Sequence, residues 1–187
     1  MEPNYMKKNN LGMVCWGIVL VALDYQLNGI DVLPDILGYA LVLWGFRGLA
    51  REEGSGRTRF GEGVYAAAGL LILAAVEQTL TLLSLHQVLA VAAAWYIAVF
   101  AVDALLYAAM GWVLLRSLSV WCEASGDAQT ASQCRIYAVV FIPVAAVSYL
   151  FSKISGGTLY TISFLVYILI SVGLLMMARA AQNAMDE

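Results

Sequence analysis

Val64-Tyr65-Ala66-Ala67-Ala68-Gly69-Leu70-Leu71-Ile72-Leu73-Ala74-Ala75-Val76-Glu77-Gln78-Thr79-Leu80-Thr81-Leu82-Leu83-Ser84-Leu85 is an apolar run with Glu77 as its one charged residue. About 20 such residues, rising 1.5 Å each as a helix, cross the roughly 30 Å hydrocarbon core of a bilayer. The rest of the chain has the same character: 62% of residues are hydrophobic, 12% are charged and mean hydropathy is +0.80. Soluble domains carry about 25% charged residues. The chain therefore reads as an integral membrane protein.

Working outward, the polar stretch Arg51-Glu52-Glu53-Gly54-Ser55-Gly56-Arg57-Thr58-Arg59 precedes this span, and Ser84–Gln87 is a turn without Lys or Arg after it. Helices are expected at about 11–27, 33–50, 64–85, 88–121, 135–152 and 158–180. Asn28–Asp35 reads as a turn rich in cap residues, with Asp31 and Asp35 suited to the start of the second helix. Glu123–Gln133 reads as a polar loop and Pro143 as a kink. Of the 10 Lys and Arg residues, all but Lys153 then fall on one side. The positive-inside rule places that side in the cytosol. The fold class expected is all-α: a single polytopic domain of six transmembrane helices in three hairpins, with both termini inside.

Lys7 and Lys8 ahead of Leu11–Leu23 resemble a signal peptide. Asp24-Tyr25-Gln26 lacks the small-residue cleavage pattern, so the segment is expected to stay as the first span. A formal charge of -3 with no basic face excludes nucleic acid as a partner. Cys15, Cys122 and Cys134 form an odd set, and His86 is the sole histidine, on the opposite side from the Cys122–Cys134 loop. No metal site and no cofactor are expected. The lipid bilayer is the surroundings, and the sequence names no protein partner.

Charges within spans cost about 2.5–3.5 kcal/mol each on insertion scales and are functional candidates by default. Counted outward from the inner helix ends, Asp24, Asp35, Glu77 and Asp103 lie roughly 18–20 Å from the cytosolic edge, and Tyr149 and Tyr167 lie at similar depth. Asp103 shares a face with Tyr96, Phe100 and Tyr107, and Tyr167 with Ser163 and Ser171. Asp24 would share one with Asn28 and Asp31. Ala94, Ala98, Ala101 and Ala108 form a small-residue stripe suited to close packing. The candidate site is thus an acidic, aromatic-lined cavity in the outer half. Asp103 and Glu77 act as counter-charges, Tyr96, Phe100 and Tyr107 as wall, Asp24, Asp31 and Asp35 as vestibule, with Tyr149 and Tyr167 at the same level. Carboxylates beside aromatic faces suit a small cation or cationic solute, bound or transported. A non-catalytic structural or regulatory subunit, with polar residues locking helix packing, is the alternative. A lipid-modifying enzyme is a third reading; no nucleophile–base pair supports it, and no catalytic residue is assigned.

Glu52-Glu53-Gly54-Ser55-Gly56-Arg57 matches the Glu-Glu-x-x-x-Arg element of CAAX-type intramembrane proteases, which also need histidines within spans; this chain has none there. Six spans in so short a chain resemble, in size, the substrate-binding subunits of energy-coupling-factor vitamin transporters. The small-residue docking pattern of their first helix is reduced here to Gly17 and Ala22. The stretch Gly29-Ile30-Asp31-Val32-Leu33-Pro34-Asp35-Ile36-Leu37-Gly38-Tyr39 resembles the N-terminal signature of small, uncharacterised bacterial multi-span membrane proteins. That resemblance implies a bacterial plasma (inner) membrane protein and carries over no activity.

Overall fold

The computed structural model describes residues 3–22, 26–27, 30–31, 35–52, 58–85, 93–154 and 157–184, with side chains over 8–22, 35–51, 58–80, 97–151 and 158–184. The elements among the described residues are all helices but for one small ladder. Its order is α1 (Pro3–Ala22), β1 (Gln26–Leu27), β2 (Ile30–Asp31), α2 (Asp35–Glu52), α3 (Phe60–Leu85), α4 (Ala93–Ala124), α5 (Ala128–Ile154) and α6 (Gly157–Ala184). Among the described residues, four stretches are long and apolar enough to cross a membrane: Phe60–Leu80, Ile97–Ala124, Ala128–Phe151 and Thr158–Ala184. Lys8–Ala22 is a shorter apolar helix.

Several helix bounds differ from the sequence reading, α1 beginning at Pro3 and α3 at Phe60, and two differences change the connections. The first helix stops at Ala22, and β1 and β2 pair antiparallel, Gln26 with Asp31 and Leu27 with Ile30. In the sequence Asn28-Gly29 lies between them, a dipeptide typical of two-residue hairpins. Asp31 is therefore a strand residue, neither a helix cap nor on a helical face with Asp24 and Asn28. The second difference is α5, which begins at Ala128 rather than after a long loop. At the end of α4 the Asp127 N–H donates to Cys122 O (2.9 Å) and the Gly126 N–H to Glu123 O (3.2 Å), a Schellman closure. Gly126 sits there at φ +87°, where a side chain would be strained. Asp127 then caps the next helix, its Oδ1 accepting from the Thr130 N–H at 3.0 Å. The hydrogen bonds to Thr130 hold the Asp127 carboxyl below its ordinary range.

Each helix packs on the next in sequence, and α6 also meets α4 and α1. The circuit α1–α2–α3–α4–α6–α1 closes, and α5 seats against α4 and α6. Glycine sets the closest approach. A Cβ on Gly17 would lie 2.5 Å from Gly38 O, and one on Gly45 would lie 2.6 Å from Asn10 O. The closest backbone approach is between α1 and α2; of the α4 alanines, Ala108 is buried and Ala98 exposed. Leu105, Val139 and Leu169 are 63–70% exposed, an apolar periphery that suits lipid rather than water.

One end of the bundle gathers the positive charge. The Arg59 N–H donates to Ser117 Oγ at 3.0 Å, and its guanidinium lies 5.0 Å from the Trp112 ring centroid. Arg135 pairs with Glu123, and Phe60 packs on both Phe46 and Trp121. These contacts bring the end of α2, the start of α3, the end of α4 and the start of α5 together, and with them Arg47, Arg51, Arg59, Arg116 and Arg135.

Candidate functional site

Three helices each place two polar side chains one turn apart on an inward face: Asp35 and Tyr39 on α2, Asp103 and Tyr107 on α4, Tyr167 and Ser171 on α6. Helix α5 adds Tyr149 between α4 and α6. All seven are buried, Asp103 at 3% exposure and Asp35 at 8%. Every described Lys and Arg, by contrast, is exposed or half-exposed. Arg116, on the same helix as Asp103, lies about 20 Å further along it.

The rings of Tyr107 and Tyr149 stack, with centroids 5.5 Å apart and planes at 18°. Tyr167 closes the triangle at 5.4 Å from Tyr107 and 5.3 Å from Tyr149. The Tyr149 hydroxyl donates to Asp103 Oδ2. Tyr107 Oη and Ser171 Oγ are 2.8 Å apart, and Ser171 Oγ donates to Tyr167 O at 2.8 Å. A serine hydroxyl has one proton. That proton is committed to the carbonyl, so Tyr107 is the donor to Ser171, and α4 is tied to α6 as Asp103 is tied to α5. Tyr137 adds a further tie, donating to Ile170 O at 2.8 Å. Both Asp103 and Asp35 act electrostatically on Tyr39 and Tyr149, and Asp35 also on Tyr167. Hydrogen bonds and ring contacts join Asp103, Tyr107, Tyr149, Tyr167 and Ser171, and Asp35 and Tyr39 lie within electrostatic range of Tyr149 and Tyr167.

Carboxylate and phenol oxygens are hard donors, suited to a proton or a hard cation and not to a soft metal. Among the described residues no group of three or more His, Cys, Asp and Glu is placed to hold a metal ion. Carboxylate ligation here rests on Asp35 and Asp103. The ring faces of Tyr107 and Tyr149 cover each other, so they do not form the open aromatic wall that a bulky organic cation needs.

Of the residues singled out from sequence, Asp35, Asp103, Tyr107, Tyr149 and Tyr167 come together here. Asp35 belongs to this buried group rather than to an outer vestibule. Glu77 is half-buried on α3 and Phe100 half-buried on α4, each making contacts of its own. Neither enters the hydrogen bonds and ring contacts of the cluster described above. Asp31 lies in β2; Asp24 and the side chain of Tyr96 lie outside the described residues. Tyr39 was missed by the sequence reading. Its signal is Asp35-x-x-x-Tyr39 on α2, the same spacing as Asp103-x-x-x-Tyr107 on α4.

Comparison of the chain with protein-family models, with curated proteins and with solved structures finds no match.

Proposed function

We propose that this is a six-span bacterial plasma-membrane protein, with both termini in the cytoplasm, whose Asp–Tyr cluster binds a small cation in exchange for a proton. One observation carries the reading: Asp103 and Asp35 are each buried on an inward helix face, with no buried Lys or Arg among the described residues. Two carboxylates in a low-dielectric bundle need a neutralising charge. A proton supplies it in the empty site, a cation in the filled one. Intramembrane acids with this surrounding mark ion and proton pathways.

The exchange has a direct readout. Adding NaCl, KCl or tetramethylammonium chloride to the full chain in weakly buffered neutral detergent is expected to release protons with one of the inorganic salts. The organic cation should release none, because the stacked tyrosines leave it no face. While the free site holds its proton, affinity should rise about tenfold per pH unit, since each binding event expels one proton. Proton release that is absent with all three salts, or unchanged in Asp103→Asn, would refute the exchange.

The ties Tyr107–Ser171 and Tyr137–Ile170 favour a second reading, in which the cluster only locks helix packing in a non-catalytic subunit. That reading expects Asp103→Asn to alter stability with no ion response in either protein.

The gathering of arginines at one end supports the orientation by the positive-inside rule. In a background lacking Cys15, Cys122 and Cys134, Thr58→Cys and Thr130→Cys should resist impermeant thiol reagents in intact cells, while Gly156→Cys is labelled. Labelling of Thr58→Cys from outside would reverse the topology.

A further inference from the structure

At the arginine-rich end, away from the Asp–Tyr cluster, a groove of about 710 Å³ opens along α2. Its walls grade from apolar to basic. Ala40, Leu43, Trp44 and Leu71 form one stretch, and Arg47 and Arg51 the next. Ala40, Trp44, Arg47 and Arg51 recur at spacings of three and four, so they stripe one face of α2 over about 16 Å. Trp44 is 71% exposed, and both arginines are exposed. Among the described residues neither guanidinium is in an ion pair, whereas Arg59 and Arg135 pair with Glu62 and Glu123. Two adjacent exposed guanidinium forks above an apolar trough match one kind of molecule. Its phosphate takes bidentate bonds from arginine, its acyl chain lies along the trough, and Trp44 sits at the level between them.

We propose that this groove is a binding site for an anionic phospholipid, with Arg47 and Arg51 on the headgroup phosphate and Trp44, Leu43 and Leu71 against the acyl chain. The site selects headgroup charge. A zwitterionic lipid fills the trough but carries a cationic group that opposes the two arginines.

The test titrates phosphatidylglycerol with brominated chains into the full chain in neutral detergent and reads quenching of tryptophan fluorescence. Phosphatidylcholine with the same chains is the comparison, and soluble glycerol phosphate is the free-anion control. The expected result is saturable quenching at lower concentration for phosphatidylglycerol, with much of it lost in Trp44→Phe and no competition by glycerol phosphate at equal concentration. Each guanidinium removed should weaken the phosphatidylglycerol response about fivefold, so Arg47→Gln/Arg51→Gln shifts it about 25-fold and leaves phosphatidylcholine unchanged. Should the double variant fail to fold, the single variants Arg47→Gln and Arg51→Gln carry the test with about fivefold shifts each. Arg116→Gln, exposed outside the groove, should keep full selectivity. Equal response to both lipids, quenching unaltered by Trp44→Phe, or the same loss in Arg116→Gln would overturn the site. Competition by glycerol phosphate alone would also overturn it, because the occupant would then be a free anion.

Discussion

Gly17→Ala is expected to destabilise the detergent-solubilised protein by about 2–3 kcal/mol, read as the shift in its denaturation midpoint. The added Cβ would sit 2.5 Å from Gly38 O and 2.6 Å from Val42 Cγ2. Backbone cannot rotate away as a side-chain tip can, so α1 and α2 must separate, and the packing along Val14, Ile18, Val42 and Phe46 loosens with them. In lipid or detergent, close packing is a main source of helix–helix affinity. Gly12→Ala is the internal control: a Cβ there meets nothing within 4 Å. It should be neutral or slightly stabilising, because alanine is the better helix former. Equal losses at Gly12 and Gly17 would mean that the α1–α2 seam does not depend on close approach.

Tyr149→Phe is expected to cost about 1–2 kcal/mol while leaving the ring stack with Tyr107 in place. It removes the hydroxyl that donates to Asp103 and opens almost no cavity, so the loss reports on the hydrogen bond. Asp103→Asn should cost less, because the amide oxygen still accepts from Tyr149. In the double variant the two effects should not add, since Tyr149→Phe removes the donor and Asp103→Asn weakens the acceptor of the same bond. The pair also separates the two functional readings. A packing lock loses stability alone. A cation site loses stability and, in Asp103→Asn, proton release as well.

The membrane class was legible because apolar runs of spanning length leave few alternatives. Part of the cluster was legible for a similar reason. Helical rise and period are fixed, so counting outward put Asp103, Tyr149 and Tyr167 at one depth, and in the structure Tyr149 touches both of the others. The same count put Glu77 in the layer, but rise gives depth and says nothing of which neighbour a face meets. Glu77 is half-buried on α3 with an interaction of its own. Tyr39 was lost because Asp35 was read as a cap. A residue in the first turn can serve the helix dipole and still point inward, and its partner one turn on then points inward too. The start of α5 was hidden by the polar run 128–135, which suits a helix turn projecting past the apolar core as well as it suits a loop. The α1–α2 seam was hidden because the glycines that matter lie on two different helices, and single-helix patterns such as the α4 alanines do not reveal which faces meet.

The central claim is that Asp103 is neutral by a proton in the empty site and ionised beside a bound cation. Infrared difference spectroscopy on the full chain, with and without sodium or potassium at neutral pH, tests it most directly. The account expects the cation to remove a protonated-carboxyl carbonyl band and add a carboxylate band, both absent in Asp103→Asn. A spectrum with no carboxyl change on adding either ion, or one identical in Asp103→Asn, would contradict it and leave the cluster as a packing element.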